Sequence, residues 1–308
     1  MKNKKKALVT GAAGFIGSNL VNLLIEEGWE VDIIDNLSTG KIENVHKKAT
    51  FYNIDLTQKE FTELSKRIFP ETDVVFHLAA WPRVEPSIQN PKEFNEANVS
   101  ATVAVFEACK NFGVKKVVYS SSSSVYGETK SFPTNELEQT SPMSPYALQK
   151  LIGDQYAKLF CELYDMNISC LRYFNVFGNN EPTEGPYVPV MGIWLRQFKN
   201  KEALTITGDG EQSRDFVNVL NVARANLACA ETDLPGYNVF NVGSGKSYTL
   251  NYLANKISKN IEYVAERSEP KYTCANISKI KSKTTYIELP ETSVVEYIKN
   301  KINLSTTA

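Results

Sequence analysis

Tyr146 and Lys150 stand four residues apart just past a helix start, and a run of hydroxyls, Ser120 to Ser124, closes a strand upstream. Those residue types at that spacing point to proton and hydride chemistry. A free tyrosine titrates near pH ~10, so its use as a base at neutrality needs about three units of lowering, roughly 4 kcal/mol of preferential phenolate stabilisation. An ammonium one helical turn away supplies part of that. Ser144 reads as the N-cap and Pro145 as the first helical residue, so unpaired amides and the helix dipole also favour an anion at Tyr146. Taken alone, the serines also read as a plain polar loop, and the pair as a core tyrosine beside a surface lysine.

A second group reads as a nucleotide site. Gly11-Ala-Ala-Gly14-Phe15-Ile16-Gly17 lies between the first strand and the first helix, where glycines let a backbone approach a pyrophosphate. Asp35 ends the second strand, about twenty residues on, where a carboxylate accepts hydrogen bonds from ribose hydroxyls. It favours NAD over NADP, since Asn36, Leu37, Ser38, Thr39 and Gly40 offer no arginine for a 2′-phosphate; Lys41 is the nearest cation. Asp55 ends the third strand and reads either as an adenine contact or as a solvated strand end. Leu78, Ala79 and Ala80 end the fourth, where small residues let a cofactor cross the sheet edge or let the chain pack tightly.

Short apolar runs alternate with helical patterns: Ala7 to Thr10, Glu30 to Ile34, Thr50 to Ile54, Asp73 to His77, Lys116 to Ser121 and Ile168 to Tyr173 as strands. Phe15 to Glu27, Glu93 to Phe112 and Pro145 to Tyr164 read as helices between them. The pattern predicts an α/β fold with a doubly wound parallel sheet over residues 1–178. Beyond Gly178 it loosens, and residues 179–308 read mainly as a smaller lobe, with 215–245 returning partly to the first sheet.

Composition narrows the partners. With 42% hydrophobic residues in 308 the chain can bury a large core, and a net charge of -1 argues against nucleic acid or a membrane surface as partner. No stretch approaches the ~20 apolar residues of a membrane span. Five scattered cysteines, Cys109, Cys161, Cys170, Cys229 and Cys274, predict reduced thiols and a cytoplasmic setting. His46 and His77, the only histidines, predict no metal site.

Together the glycine turn, Asp35, His77-Leu-Ala-Ala80, the serines ending in Val125-Tyr126-Gly127, and Tyr146-x-x-x-Lys150 resemble the extended short-chain dehydrogenase/reductases. Leu171 to Gly178 and Gly208 to Val217 extend the likeness, which is strongest toward nucleotide-sugar 4-epimerases of the UDP-glucose/UDP-galactose type. That resemblance implies a Rossmann-type doubly wound parallel sheet, a smaller C-terminal substrate-binding lobe and a homodimer. It implies NAD held by Gly11, Gly14, Phe15, Ile16, Gly17, Asp35, Asn36, Ser38, Thr39, Gly40, Asp55, Leu56, Leu78, Ala79, Ala80, Tyr173, Tyr146 and Lys150. Tyr146 would take the proton of the sugar 4-hydroxyl, Ser122 share it, and Lys150 hold the nicotinamide ribose and lower the phenol's pKa.

For the substrate, a UDP-sugar, the resemblance implies Ser122, Ser123, Ser124, Tyr146, Asn175, Arg214, Arg267 and Thr273, and Arg83 is a candidate contact by its place beside the expected nicotinamide. Asn175 and Arg214 would hold the diphosphate, although Arg214 also reads as a salt bridge to Asp215 or Asp209. Arg267 would be a second diphosphate contact, with Ser268-Glu269 in place of the family's Gly-Asp. Threonine at 273 leaves room for an N-acetyl group. Related dehydratases carry acids where this chain has Ser123 and Ser124, which favours epimerisation over elimination. A uronate epimerase, decarboxylase, dehydratase or reductase is the alternative enzyme, and a non-catalytic NAD-sensing regulator the alternative of another kind.

Overall fold

The computed structural model describes residues 4–185, 188–266, 269–290 and 293–306. Its strands are β1 (Lys6–Thr10), β2 (Glu30–Ile34), β3 (Thr50–Tyr52), β4 (Val74–His77), β5 (Lys116–Ser122), β6 (Asn167–Tyr173), β7 (Asn175–Phe177), β8 (Leu204–Thr207), β9 (Ser213–Asn218), β10 (Tyr237–Val242), β11 (Ser247–Thr249) and β12 (Ile261–Val264). The helices are α1 (Phe15–Glu26), α2 (Lys59–Ile68), α3 (Val84–Gln89), α4 (Pro91–Asn95), α5 (Ala101–Phe112), α6 (Pro145–Tyr164), α7 (Val190–Lys199), α8 (Val219–Glu231), α9 (Leu250–Ile257), α10 (Ser278–Lys283) and α11 (Val294–Thr306).

Seven strands form one parallel sheet in the order β10-β6-β5-β4-β1-β2-β3. This is the Rossmann-type doubly wound arrangement. Strands buried on both faces favour near-continuous apolar runs, and β4 reads Val-Val-Phe with His77 at its end, each residue buried and the imidazole held by Thr10 and Thr102. Leu20, Val21 and Leu24 of α1 pack with Val222 and Ala223 of α8 on one face. Phe61 and Leu64 of α2, Val105 and Phe106 of α5, and Phe160 of α6 cover the other.

Local chemistry sets the helix ends. Gly28 and Gly113 follow α1 and α5 at φ +85° and +79°, the left-handed backbone that stops a helix most cheaply with glycine. At α6, Ser144 Oγ accepts the Ala147 N–H at 3.2 Å and Pro145 fills the first helical position, as the sequence predicts.

Two stretches differ from the sequence reading. The single helix expected over Glu93 to Phe112 is interrupted by a π turn, Glu96–Ser100, that turns Asn98 inward. Within residues 215–245, α8 packs on α1 and β10 pairs with β6, but β9 lies apart in a three-stranded sheet with β7 and β11. That sheet, the β8–β12 pair and helices α7, α9 and α11 enclose a separate core around Met191, Trp194, Leu253 and Ile298. No described helix is long and apolar enough to cross a membrane.

The seat of α6 on β5 depends on Gly153, where a Cβ would collide with the Tyr119 hydroxyl and ring. Tyr119 is 1% exposed, so its ring has nowhere to swing. Alanine's helix propensity favours it over glycine by about 1 kcal/mol, while overpacking a rigid core costs about 1–3 kcal/mol. Because the collision is with a rigid ring, the cost lies toward the upper end of that range, and Gly153→Ala is expected to lower stability by about 1–2 kcal/mol net, read as a lower urea midpoint at unchanged slope. An equal or higher midpoint would show that α6 can lift off the sheet freely.

Candidate active site

In a parallel sheet whose strand order reverses, the loops leaving the two strands at the reversal part and open a crevice. Here that point lies between β1 and β4, and a cleft of 1420 Å³ runs from it to the smaller lobe. One ligand commonly occupies roughly 300–1,000 Å³; this space fits a dinucleotide and a second nucleotide together. Of the residues singled out from the sequence, all that lie among the described residues line the cleft except Gly40. Gly40 stands behind the wall, where a Cβ would press on Ala13 and the Asp35 carboxylate. Arg267 lies outside the described residues.

The glycine turn fits a pyrophosphate. Gly11 is held at φ +70°, and a Cβ there would sit 2.6 Å from the Ala79 amide nitrogen; one on Gly17 would strike the Gly11 carbonyl. Without those side chains the N-terminus of α1 approaches the cleft closely. Gly14 begins that helix with no side-chain cap and no acidic residue in the first turn, so an anion meets donors and the positive end of the dipole. Asp35, 8% exposed, accepts the Ala13 N–H at 2.9 Å and the Leu37 N–H at 2.8 Å. Burial raises its pKa, opposed by those two amides. Each oxygen keeps a lone pair for a ribose hydroxyl.

Beyond Asp35 the predicted contacts partly hold one another. Asn36 Nδ2 donates to Asp55 Oδ2 at 2.7 Å, and Asp55 Oδ1 accepts from the amide and hydroxyl of Thr57. Burial acts to raise the Asp55 pKa, but those bonds from Thr57 and Asn36 bring it below the usual value. Tyr173 turns its hydroxyl away from the cleft into a buried network with Ser120 Oγ (2.9 Å) and Asn226.

Ser122, Tyr146 and Lys150 are brought together by three elements. β5 delivers Ser122, whose Oγ accepts the Ser124 N–H at 3.2 Å and the Ser124 hydroxyl at 2.8 Å. α6 delivers Lys150, 4% exposed, whose Nζ donates to the Ser120 carbonyl at 2.7 Å and lies 5.2 Å from the centre of the Tyr119 ring. It also delivers Tyr146, whose backbone N–H is held by Ser87 Oγ of α3 at 3.1 Å. Burial raises the Tyr146 pKa; the Ser122 hydroxyl, by hydrogen bonding, and the Arg83 charge pull it back. The protein alone thus leaves the phenol above its ordinary value, and the opposing cation is Arg83, where the sequence pointed to Lys150. Lys150 itself is depressed to about 8 by burial, partly offset by Asp154.

Sequence reasoning missed the parts that hold this group. Asn98 accepts the Trp81 N–H at 2.7 Å and donates to the Trp81 carbonyl and to Gln149 Oε1, tying the loop after β4 to α6. Asn98 takes a place on the buried stripe between Phe94 and Val105, where a single polar residue gives no sign of a widened turn or of its partners. Arg83, at the start of α3, carries φ +92°, a backbone strain of about 1–3 kcal/mol in a non-glycine residue. Glu181, lining the cleft, is pushed up to about 7 by burial, against hydrogen bonds from the chain and the Arg83 charge.

At the substrate end Arg214, 8% exposed, pairs with Glu269 at 3.0 Å and donates to the Ser213 and Lys271 carbonyls. Its partner is Glu269, not Asp215 or Asp209. Asp215 is buried and accepts the amides of Ser244, Gly245 and Ala275, which fixes the wall beside the cleft. Thr273 Oγ1 accepts the Asp215 N–H at 3.2 Å.

Comparison with known proteins agrees with this geometry. Residues 7–243 match the NAD dependent epimerase/dehydratase family. The chain is 38% identical to a UDP-glucose 4-epimerase of Mycolicibacterium smegmatis over 78% of its own length and 77% of the relative's. A solved UDP-N-acetylglucosamine 4-epimerase of Methanobrevibacter ruminantium, in complex with UDP-N-acetylmuramic acid, superposes at TM-score 0.88 with 39% identity, covering 98% of this chain and 97% of that one. A UDP-glucose 4-epimerase of Thermotoga maritima, solved with UDP-glucose, superposes at 0.91 with 34% identity, covering 98% and 99%.

Burying Lys150 has a measurable consequence. Between pH 8 and 10.5 the unfolded chain holds a proton that the folded chain releases, so stability rises with pH there; below about 8 the penalty is complete. Its full size is on the order of 3 kcal/mol, partly offset by the bond to Ser120. Lys150→Met is expected to be about 1–3 kcal/mol more stable than wild type at pH 7, with the gain shrinking from pH 8 upward. Denaturant midpoints across pH check this; a destabilised variant at pH 7 would mean the ammonium is well solvated.

Proposed function

The chain belongs to the NAD dependent epimerase/dehydratase family, and from that membership we infer how its residues divide the work of inverting a sugar carbon. It is an NAD-dependent nucleotide-sugar 4-epimerase. The observation that carries the residue assignment is the convergence of Ser122, Tyr146 and Lys150 on one wall of a cleft whose other end is the glycine turn and Asp35.

The glycine turn and Asp35 would hold the pyrophosphate and adenosine ribose of NAD, and Lys150 the nicotinamide ribose. Bound there, NAD supplies a hydride acceptor and donor together with a positive charge beside the phenol. Tyr146 takes the proton of the 4-hydroxyl as the C4 hydride leaves, with Ser122 sharing the proton. The room in the cleft would let a 4-keto sugar turn and receive hydride on its opposite face, with Tyr146 giving the proton back to oxygen. Neither Ser123 nor Ser124 offers the carboxyl that elimination of water would need, which supports return of the hydride to C4.

The substrate is a UDP-sugar. Arg214, with Asn175, holds the diphosphate, and Arg83 meets the sugar. The small side chain of Thr273, tied to Asp215, supports acceptance of an N-acetyl group at C2 beside the plain hexoses. The exposed faces of Leu148, Leu159 and Leu163 on α6 support a homodimer, and the five free cysteines fit a reducing, cytoplasmic setting.

Purified protein given UDP-glucose or UDP-GlcNAc should form the C4 epimer by proton NMR; a dehydrated or decarboxylated product would overturn the reading. Tyr146→Phe should lower kcat by about 10²–10⁴-fold, and near-normal turnover would remove Tyr146 as the base. Thr273→Tyr should cut the GlcNAc-to-Glc activity ratio by about tenfold or more. An unchanged ratio would place the C2 substituent elsewhere.

A further inference from the structure

We propose that Trp81 and Ser38 close a clasp over the glycine turn, and that this clasp keeps NAD in its site from one half of the reaction to the other. It rests on the assigned reaction: the hydride taken from C4 has to return, so a nicotinamide that leaves while reduced strands a 4-keto sugar.

Three neighbouring strands set the geometry. In the order β4-β1-β2 the glycine turn leaves the middle strand, and the loops after β4 and β2 flank it. Adjacent strands lie about 4.8 Å apart, so the two flanking loops start about 10 Å from each other. Trp81 stands four residues past β4 and Ser38 four past β2, and the Trp81 indole N–H donates to Ser38 Oγ at 3.3 Å. That bond crosses the line of β1, and both residues line the cleft.

Both ends of the clasp are anchored. On one side the Ala79 N–H donates to Thr10 Oγ1 at 3.2 Å, and Ala79 lies too close to Gly11 for a side chain between them. On the other, the Lys41 N–H and Asn44 Nδ2 both donate to the Ala13 carbonyl at 3.0 Å, while Asn36 Oδ1 accepts the Ser38 N–H at 3.0 Å. Asn98 grips the Trp81 backbone at its N–H and its carbonyl, and Phe94 meets the indole edge-on at 5.4 Å. The same Asn98 donates to Gln149, the neighbour of Lys150, so clasp and lysine share one support. Accepting the indole leaves Ser38 a proton and a second lone pair for the cofactor. Because both partners in the bond belong to the protein, it obstructs entry and exit alike.

The test follows exchange of bound NAD against adenine-labelled NAD in the purified protein, with Kd from equilibrium dialysis. Trp81→Phe, which keeps a ring against Phe94 but loses the N–H, should speed exchange about three- to tenfold with Kd within about twofold. In a Ser38→Ala background the same change should add nothing, because the bond is already gone; Ser38→Thr, which keeps the acceptor, should exchange like wild type. Unchanged exchange in Trp81→Phe, a Kd that rises as much as the rate, or effects of Trp81→Phe and Ser38→Ala that multiply would each overturn the clasp while leaving the NAD site standing. If the wild-type protein retains no NAD, the cofactor assignment falls and the clasp with it.

Discussion

A parallel sheet carries all its carboxyl ends on one edge, and this chain places everything reactive there. The glycine turn leaves β1, Asp35 leaves β2, Leu78 to Ala80 leave β4 and Ser122 leaves β5, so residues more than a hundred positions apart share one cleft. The reversal of strand order between β1 and β4 opens that edge. Both faces must then be covered, which spends most of the apolar residues of α1, α2, α5, α6 and α8 on the sheet. Helix α6, which carries Tyr146 and Lys150, is one of these covering helices, and its core contacts at Ala157 and Phe160 hold its polar start over the strand ends.

Within the cleft, burial is the dominant force and acts against function. It raises the phenol of Tyr146 and depresses the ammonium of Lys150, so the protein alone opposes both charges it would use. What opposes burial in part is directional: hydrogen bonding with Ser122, a guanidinium at Arg83, and a carbonyl of Ser120 that fixes the lysine. His77 shows the same burial at work where no charge is wanted. It is driven down to about 3 by desolvation and the nearby Lys150 charge, and stays neutral between Thr10 and Thr102 at 2.7 and 2.9 Å. Thr102 donates onward to the Asn98 carbonyl, so the histidine proton resides on Nε2.

The smaller lobe contributes charge rather than shape alone. Arg214 reaches the cleft already paired with Glu269, which keeps a buried guanidinium compensated and sets a carboxylate beside the expected diphosphate position. Glu181 and Glu269 both lie within electrostatic reach of Arg83, so the sugar end of the cleft is a balanced cluster, not a bare cationic pocket. In such a low-dielectric cluster each group's protonation depends on the others.

The sequence by itself determined the alternation of strands and helices, the α6 boundaries, the glycine turn, and the candidates Asp35, Ser122, Tyr146 and Lys150, because each is a local pattern of period, cap or spacing. Tertiary structure alone decided how those residues act. Gly40 fits the motif but packs on Ala13; the charge that opposes burial at Tyr146 is that of Arg83; and Arg214 pairs with Glu269, fifty-five positions away. Asn98 lies in a widened helical turn that a lone polar residue on a buried stripe does not announce. Hydrogen bonds and charges act through space within a few ångströms, and only the closed fold sets which distant residues come that near.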